Sequence, residues 1–207
     1  MNDIIGIIIQ FVIVLFAISI HEASHAYAAL KCGDPTARDM GRVTLNPVAH
    51  IDPIGTILFP IILAIMGAPV FGWAKPVQVN PMNFRDYRRG NMIVSAAGPA
   101  SNIAAGIGGV LLFKILQGLG IMSQGIGIFL FYLVLINIYL AIFNLIPIPP
   151  LDGSGILESR LRGEALAFYR RLRPYGFLIL IAIIYLGVLD LIARPIIRMV
   201  GGLFGLF

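Results

Sequence analysis

An all-helical membrane protein with several spans is the fold class this sequence predicts, and three observations predict it. Hydrophobic residues make up 58% of the 207 residues and charged residues only 12%, against about 25% charged in an ordinary soluble domain. Mean hydropathy is +0.92. The apolar residues gather into four long stretches, 4–30, 93–116, 126–146 and 177–197. As a helix, each is long enough to cross a hydrocarbon core of about 30 Å, which takes roughly 20 residues. The net charge of +5 is distributed between these stretches and not gathered in a patch. The cations therefore read as topology determinants, and no nucleic-acid partner is expected.

The stretch 4–30 has no basic leader region and runs directly into charged residues, so it reads as a permanent helix and not a cleavable signal. Lys31, Arg38 and Arg42 follow it. The shorter segment 54–71 carries Gly55, Pro60, Gly67 and Pro69. It suits either a short crossing helix or a re-entrant hairpin. Next comes FGWAKPVQVNP, residues 71–81, in which Val77, Gln78, Val79 and Asn80 alternate with period two. Flanked by Pro76 and Pro81, this reads as an edge strand of a small β-hairpin.

Lys75, Arg85, Arg88 and Arg89 precede the 93–116 helix. That helix is rich in small residues around Gly98, Ala100, Ser101 and Ala104, which favour close helix contact, with Asn102 as polar glue. The loop 117–125 has no Lys or Arg, whereas five arginines lie between 160 and 173. If all three basic stretches face the cytoplasm, the N-terminus is outside and 54–71 starts and finishes on the cytoplasmic side. The 4–30 and 126–146 helices then end on that same side, and Arg194 and Arg198 fall outside. After Pro195, the residues Ile196, Ile197, Met199, Val200 and Leu203 suit an interfacial helix. Cys32 is the only cysteine, so no internal disulfide forms. Residues 1–207 are expected to form one membrane-embedded domain.

His21 and His25 are four apart, which on a helix puts both imidazoles on one face, about 6 Å apart along the axis. Neutral imidazole is a good zinc ligand. Glu22 lies beside them, and a carboxylate there can take a proton from a zinc-activated water and pass it to a leaving amine. H-E-x-x-H on a helix is the metalloprotease pattern for this reason. Chance produces it too, and the bland reading makes the three residues merely interfacial. That reading is costly here, because a charge at the bilayer centre costs about 2.5–3.5 kcal/mol even on the lenient scale. His21 lies about 25 Å along the helix from Ile4, a little inside the cytoplasmic boundary.

A catalytic zinc takes three protein ligands and one open position. The spare candidates are His50, Asp52 and Asp152. Asp152 sits in NLIPIPPLDGSG, residues 144–155, where three prolines end the helix and Gly153 permits a sharp turn. Asp-Gly alone is a turn signal; beside HEASH, the ligand reading of Asp152 is preferred. Asp52, before Pro53, also reads as a cap or turn. His50 reads as a supporting residue around the site or as a shaper of the re-entrant region.

With HEASH at 21–25, GPASN at 98–102 and NLIPIPPLDG at 144–153 in order within apolar helices, the chain resembles the site-2 protease family of intramembrane metalloproteases. It is most similar to compact members without PDZ or nucleotide-sensing domains. The resemblance implies one bound Zn²⁺ on His21, His25 and Asp152, Glu22 as general base, and Asn144 stabilising the oxyanion or positioning substrate. A helix-packing hydrogen bond is an equal reading of Asn144 on chemistry alone. It also implies a multi-pass protein of a prokaryotic plasma membrane whose substrates are transmembrane proteins in the same bilayer. A helical substrate must unwind to be cut, and Val77, Val79 and Asn80 are candidates to hold it extended by strand addition. The rival reading is a membrane metal-ion transporter, which also needs buried His and Asp but has no use for Glu22.

Overall fold

In lipid, a backbone polar group has no water to bond, and a helix satisfies every such group within one segment. The computed structural model describes residues 2–66 and 74–206. Among these residues are nine α-helices: α1 (Asn2–Cys32), α2 (Thr36–Asp39), α3 (Phe59–Ile65), α4 (Tyr87–Gly118), α5 (Gln124–Asn144), α6 (Asp152–Arg160), α7 (Gly163–Arg171), α8 (Gly176–Tyr185) and α9 (Val188–Leu203). Residues Gly6–Cys32 of α1, together with α4 and α5, are long and apolar enough to cross a membrane. Each spans the matching expected stretch to within a few residues, apart from α4, which starts earlier at Tyr87.

These three helices form the body of the fold. Ala17 on α1 meets Asn102 on α4, while Ala28 and Ala29 meet Val94 and Phe84. Advancing along α1 therefore retreats along α4, and the two are antiparallel. In turn, α4 packs antiparallel on α5. Gly106 lies against Ile138 and Gly109 against Leu133 and Val134; a Cβ on either glycine would come within 2.7 Å of those side chains. The absence of side chains at these points lets the backbones approach closely. As a result, α1 and α5 run parallel and end on the same side of the molecule, as the charge distribution predicts.

The fourth expected span is corrected by the structure. Residues 177–197 are not one helix. They are divided between α8 and α9 at Gly187, whose φ of +70° is a left-handed conformation that glycine adopts without steric cost. The residues after Pro195 belong to α9 and do not lie as a free interfacial helix. Ile196 and Val200 are buried against Val134, and Phe204 lies with its ring centroid 4.1 Å from that of Phe113 on α4.

The β-hairpin is the second correction. Among the described residues there is no strand, and 74–80 pairs with no ladder. Val77 instead donates to Glu22 Oε2 at 2.8 Å and Asn80, in an extended conformation, to Asp34 Oδ2 at 2.7 Å. Pro76 and Pro81 have no N–H to offer a ladder. Asp34 is fully buried and also accepts from the N–H and hydroxyl of Thr36 and from Asn83 Nδ2. Burial alone raises its pKa, yet the hydrogen bonds from Thr36, Asn83 and Asn80 hold it below the usual carboxylate value.

Part of the 54–71 segment is described. A π-helical turn, Pro53–Leu58, leads into the short α3. The rest of the segment, and Phe71 to Trp73 of the FGW stretch, lie outside the described residues. The chain leaves this region at His50 and comes back at Lys75, whose N–H donates to the His50 carbonyl at 2.9 Å. Its two ends therefore meet at one place.

Candidate metal centre

Three helices supply the site. His21 and His25 lie one turn apart on α1, both buried. Asp152 opens α6, just beyond the end of α5. The connection from α5 is tight: a Cβ on Gly153 would fall 2.2 Å from the Leu145 carbonyl oxygen, and one on Gly176 would fall 2.0 Å from that of Pro149. Only glycine fits at either point, and this packing aims the start of α6 at α1. Asn91 of α4 ties the other end of α6 down, donating to the Gly155 carbonyl at 3.0 Å and to Ser159 Oγ at 2.9 Å.

His21 Nε2 lies 3.0 Å from His25 Nε2 and 3.0 Å from Asp152 Oδ2, and His25 Nε2 lies 3.3 Å from Asp152 Oδ1. The protonation of these atoms follows from their far sides. His25 Nδ1 is 2.7 Å from the Val94 carbonyl, which only accepts, so Nδ1 holds a proton and, in the neutral ring, Nε2 presents a lone pair. For His21, Nδ1 is 2.6 Å from Asn102 Oδ1. The Asn102 amide is oriented by the carbonyl of Ala17 at 3.1 Å and by Asn137 Oδ1 at 2.8 Å, both of which take its N–H groups. Asn137 is oriented likewise by donating to the Leu133 carbonyl at 2.8 Å. Thus Asn102 Oδ1 faces His21 Nδ1–H, and in the neutral ring His21 Nε2 is also a lone pair.

With both rings neutral, two imidazole lone pairs and a carboxylate converge on one point, the form in which these groups bind a metal. Acceptors brought together in this way are held by a cation among them, a proton or a metal ion. Donors bound tetrahedrally at about 2.0–2.1 Å stand about 3.3 Å from one another, close to the separations found here. His21, His25 and Asp152 form a group that can hold a metal ion. In other proteins, removing an outer partner such as the Asn102 amide costs about 10–100-fold in metal affinity.

Glu22 is partly buried, and its charge lies within electrostatic reach of His25. Its Oε2 accepts the Val77 N–H at 2.8 Å, which ties the 74–80 segment to α1 beside His21. His50 stands apart. Its Nε2–H donates to the Thr44 carbonyl at 2.9 Å and its own carbonyl holds Lys75, so its contacts tie the start of the 74–80 segment to the 44–50 loop. Asp52 caps the π-helical turn through Oδ1, accepting from Ile54 and Gly55 at 2.9 Å. Asn144 donates one amide hydrogen to the Leu140 carbonyl at 2.9 Å.

Sequence reasoning missed three contributors. Gly98 reads as one small residue among many, yet its missing Cβ would lie 2.4 Å from His25 Nε2 and 2.6 Å from His21 Nε2. Asn137 carried a usable signal, being a polar amide in the apolar 126–146 stretch. The Val94 carbonyl carried none, since any residue type supplies a carbonyl.

The family model for peptidase family M50 matches residues 108–186. The chain is 37% identical over 174 residues to YwhC of Bacillus subtilis, a candidate zinc metalloprotease, covering 82% of this chain and 76% of that one. It is 30% identical over 176 residues to another candidate zinc metalloprotease, Rip2 of Mycolicibacterium smegmatis, covering 82% of this chain and 64% of Rip2, less than two thirds of that protein's length. A 65-residue stretch is 40% identical to part of a candidate zinc metalloprotease of Methanocaldococcus jannaschii. No solved structure matches. With apolar helices long enough to span a bilayer and a His-His-Asp group that fits zinc, the chain belongs to peptidase family M50, the site-2 protease family.

Proposed function

We propose that this protein is an intramembrane zinc endopeptidase that cuts peptide bonds in or next to transmembrane segments of other membrane proteins. The observation that carries this reading is the convergence of His21 Nε2, His25 Nε2 and Asp152 on one point, with Glu22 beside them on an apolar helix. A zinc ion held there supplies Lewis acidity that activates water and polarises a carbonyl. The residues of the chain do the rest. Glu22 takes the proton from the attacking water and delivers it to the leaving amine. Asn144 has a second amide hydrogen to offer a developing oxyanion. His21, His25 and Glu22 lie toward the end of α1 from which the basic residues follow, so by the positive-inside rule the reaction takes place near the cytoplasmic face.

A substrate must lie extended to expose its scissile bond. The 74–80 segment is pinned at Lys75, Val77 and Asn80. Among the described residues none accepts the Val79 N–H. That N–H is where a substrate strand would add. Val79→Pro is expected to cut cleavage of a transmembrane substrate severalfold, with zinc content unchanged. Unaltered cleavage would remove the strand-addition idea without touching the zinc chemistry.

The function itself is tested by metal removal. The full chain, reconstituted with a membrane-protein substrate, is expected to lose cleavage on chelation with phenanthroline and regain it on adding zinc. Cleavage that survives complete metal removal would sink the proposal. Zinc flux across the liposomes, in place of proteolysis, would favour the transporter.

A further inference from the structure

Beyond the His-His-Asp group, the molecule has a second polar cavity, of about 320 Å³, where α1 ends and α4 begins. Lys31, Arg85 and Arg89 line it together with Cys32, Gly90 and Ile93. The one carboxylate on its wall, Asp86, is engaged as the N-cap of α4, its Oδ1 accepting the Arg89 N–H at 3.0 Å. Among the described residues, no carboxylate forms an ion pair with Lys31, Arg85 or Arg89. Three cations thus share one concavity with a single acid. They are not on a loose loop: the Arg85 N–H donates to the Cys32 carbonyl at 3.1 Å. Gly90 packs against Phe84, whose ring a Cβ there would meet at 2.6 Å. The concavity is therefore built into the junction of the two helices.

Its level in the fold narrows the ligand. Lys31 lies in the last turn of the candidate span Gly6–Cys32. On α4, Arg89 is followed by the apolar run from Met92 onward. Ile93, on the cavity wall, is 39% exposed, an apolar side chain facing outward immediately beside the cations. Tyr27 is half exposed, with Lys31 Nζ 5.2 Å from its ring centroid, and Tyr87 is also exposed. Amphipathic aromatic rings beside cations mark the headgroup level of a bilayer, and basic pockets between spanning helices at that level receive anionic headgroups.

We propose that Lys31, Arg85 and Arg89 form a binding site for the phosphate of an anionic phospholipid headgroup. Guanidinium groups can hold phosphate oxygens through two parallel hydrogen bonds, while the acyl chains run past Ile93 along the outer face of α4. A lipid seated there bridges the end of α1 to the start of α4, the two helices that carry His21, His25 and Asn102. The inference rests on the membrane embedding of the chain and not on its peptidase activity, so it is tested without a cleavage assay.

Native mass spectrometry of the full chain in detergent, titrated with phosphatidylglycerol, phosphatidylcholine and inorganic phosphate, reads the site directly. Phosphatidylglycerol is expected to bind more tightly than phosphatidylcholine, and inorganic phosphate is expected not to displace it. With each arginine contributing as a basic residue near a membrane surface, Arg85→Gln/Arg89→Gln is expected to weaken phosphatidylglycerol binding about thirtyfold. The charge-matched control Arg160→Gln/Arg162→Gln, which alters exposed cations off the cavity wall, is expected to leave it unchanged. Equal binding of the two lipids by the wild-type protein would overturn the proposal, whatever the variants do. An equal loss in the control would assign the effect to diffuse charge, and displacement by inorganic phosphate would assign the cavity to a soluble phosphate compound. Either result also overturns it.

Discussion

Glu22→Gln is expected to reduce cleavage by about 10²–10⁴-fold, the range that general acid–base catalysis supplies, while zinc content stays at the wild-type level. The two readouts separate because Glu22 is not in the His-His-Asp group. Glutamine has nearly the same shape and keeps a carbonyl oxygen that can accept the Val77 N–H, which now goes to Glu22 Oε2. The 74–80 segment therefore keeps its place. What the amide cannot do is take up a proton from water and release it to an amine. Zinc per protein by elemental analysis, alongside cleavage of a reconstituted substrate, checks both halves. Retained proteolysis would mean that another group is the base, and joint loss of zinc and activity would mean that Glu22 supports the metal site.

Gly98→Ala is expected to abolish tight zinc binding and with it all activity. The added Cβ would lie 2.4 Å from His25 Nε2 and 2.5 and 2.6 Å from His21 Cε1 and Nε2, inside any real contact distance. Neither ring can simply swing aside. His21 is held through Nδ1 by Asn102, and His25 by the Val94 carbonyl, and both partners lie on the same helix as Gly98. Moving α4 outward to relieve the clash would pull both partners away from the rings. The helix itself does not suffer, since alanine is the better helix former by about 1 kcal/mol. Loss of zinc with helical content retained is the expected signature, read by elemental analysis and circular dichroism. Gly108→Ala is the matched control, because nothing lies within 4 Å of its Cβ position on the same helix. Zinc bound normally by Gly98→Ala would show that α4 does not press on the ligands.

The ease of reading this chain varied with the range of the interaction that decides each feature. The candidate spans α1, α4 and α5 follow from long apolar stretches, because a helix satisfies the backbone of such chain in lipid within one segment. The 177–197 run misled: it is apolar enough to suggest one span, but Gly187 allows a left-handed turn, and packing on Val134 and Phe113 draws the second half back onto the bundle. The expected strand at 77–80 failed for a different reason. Period-two alternation speaks to the conformation of the backbone, and Asn80 is extended, but it does not name a partner. The partners here are the carboxylates of Glu22 and Asp34, on residues far away in sequence.

By itself, the sequence determined that the protein is helical and apolar, and that His21 and His25 share a helix face with Glu22 beside them, because these are consequences of local periodicity. In the sequence, Asp152 is preferred over His50 and Asp52 beside HEASH. The tertiary structure brings Asp152 into the group with His21 and His25 by turning α6 off the end of α5 through glycines that admit no side chain, and it orients the two imidazoles through Asn102 and the Val94 carbonyl. Those decisions belong to contacts between distant helices. No pattern within one helix can encode the orientation of an amide or a ring that its neighbour holds.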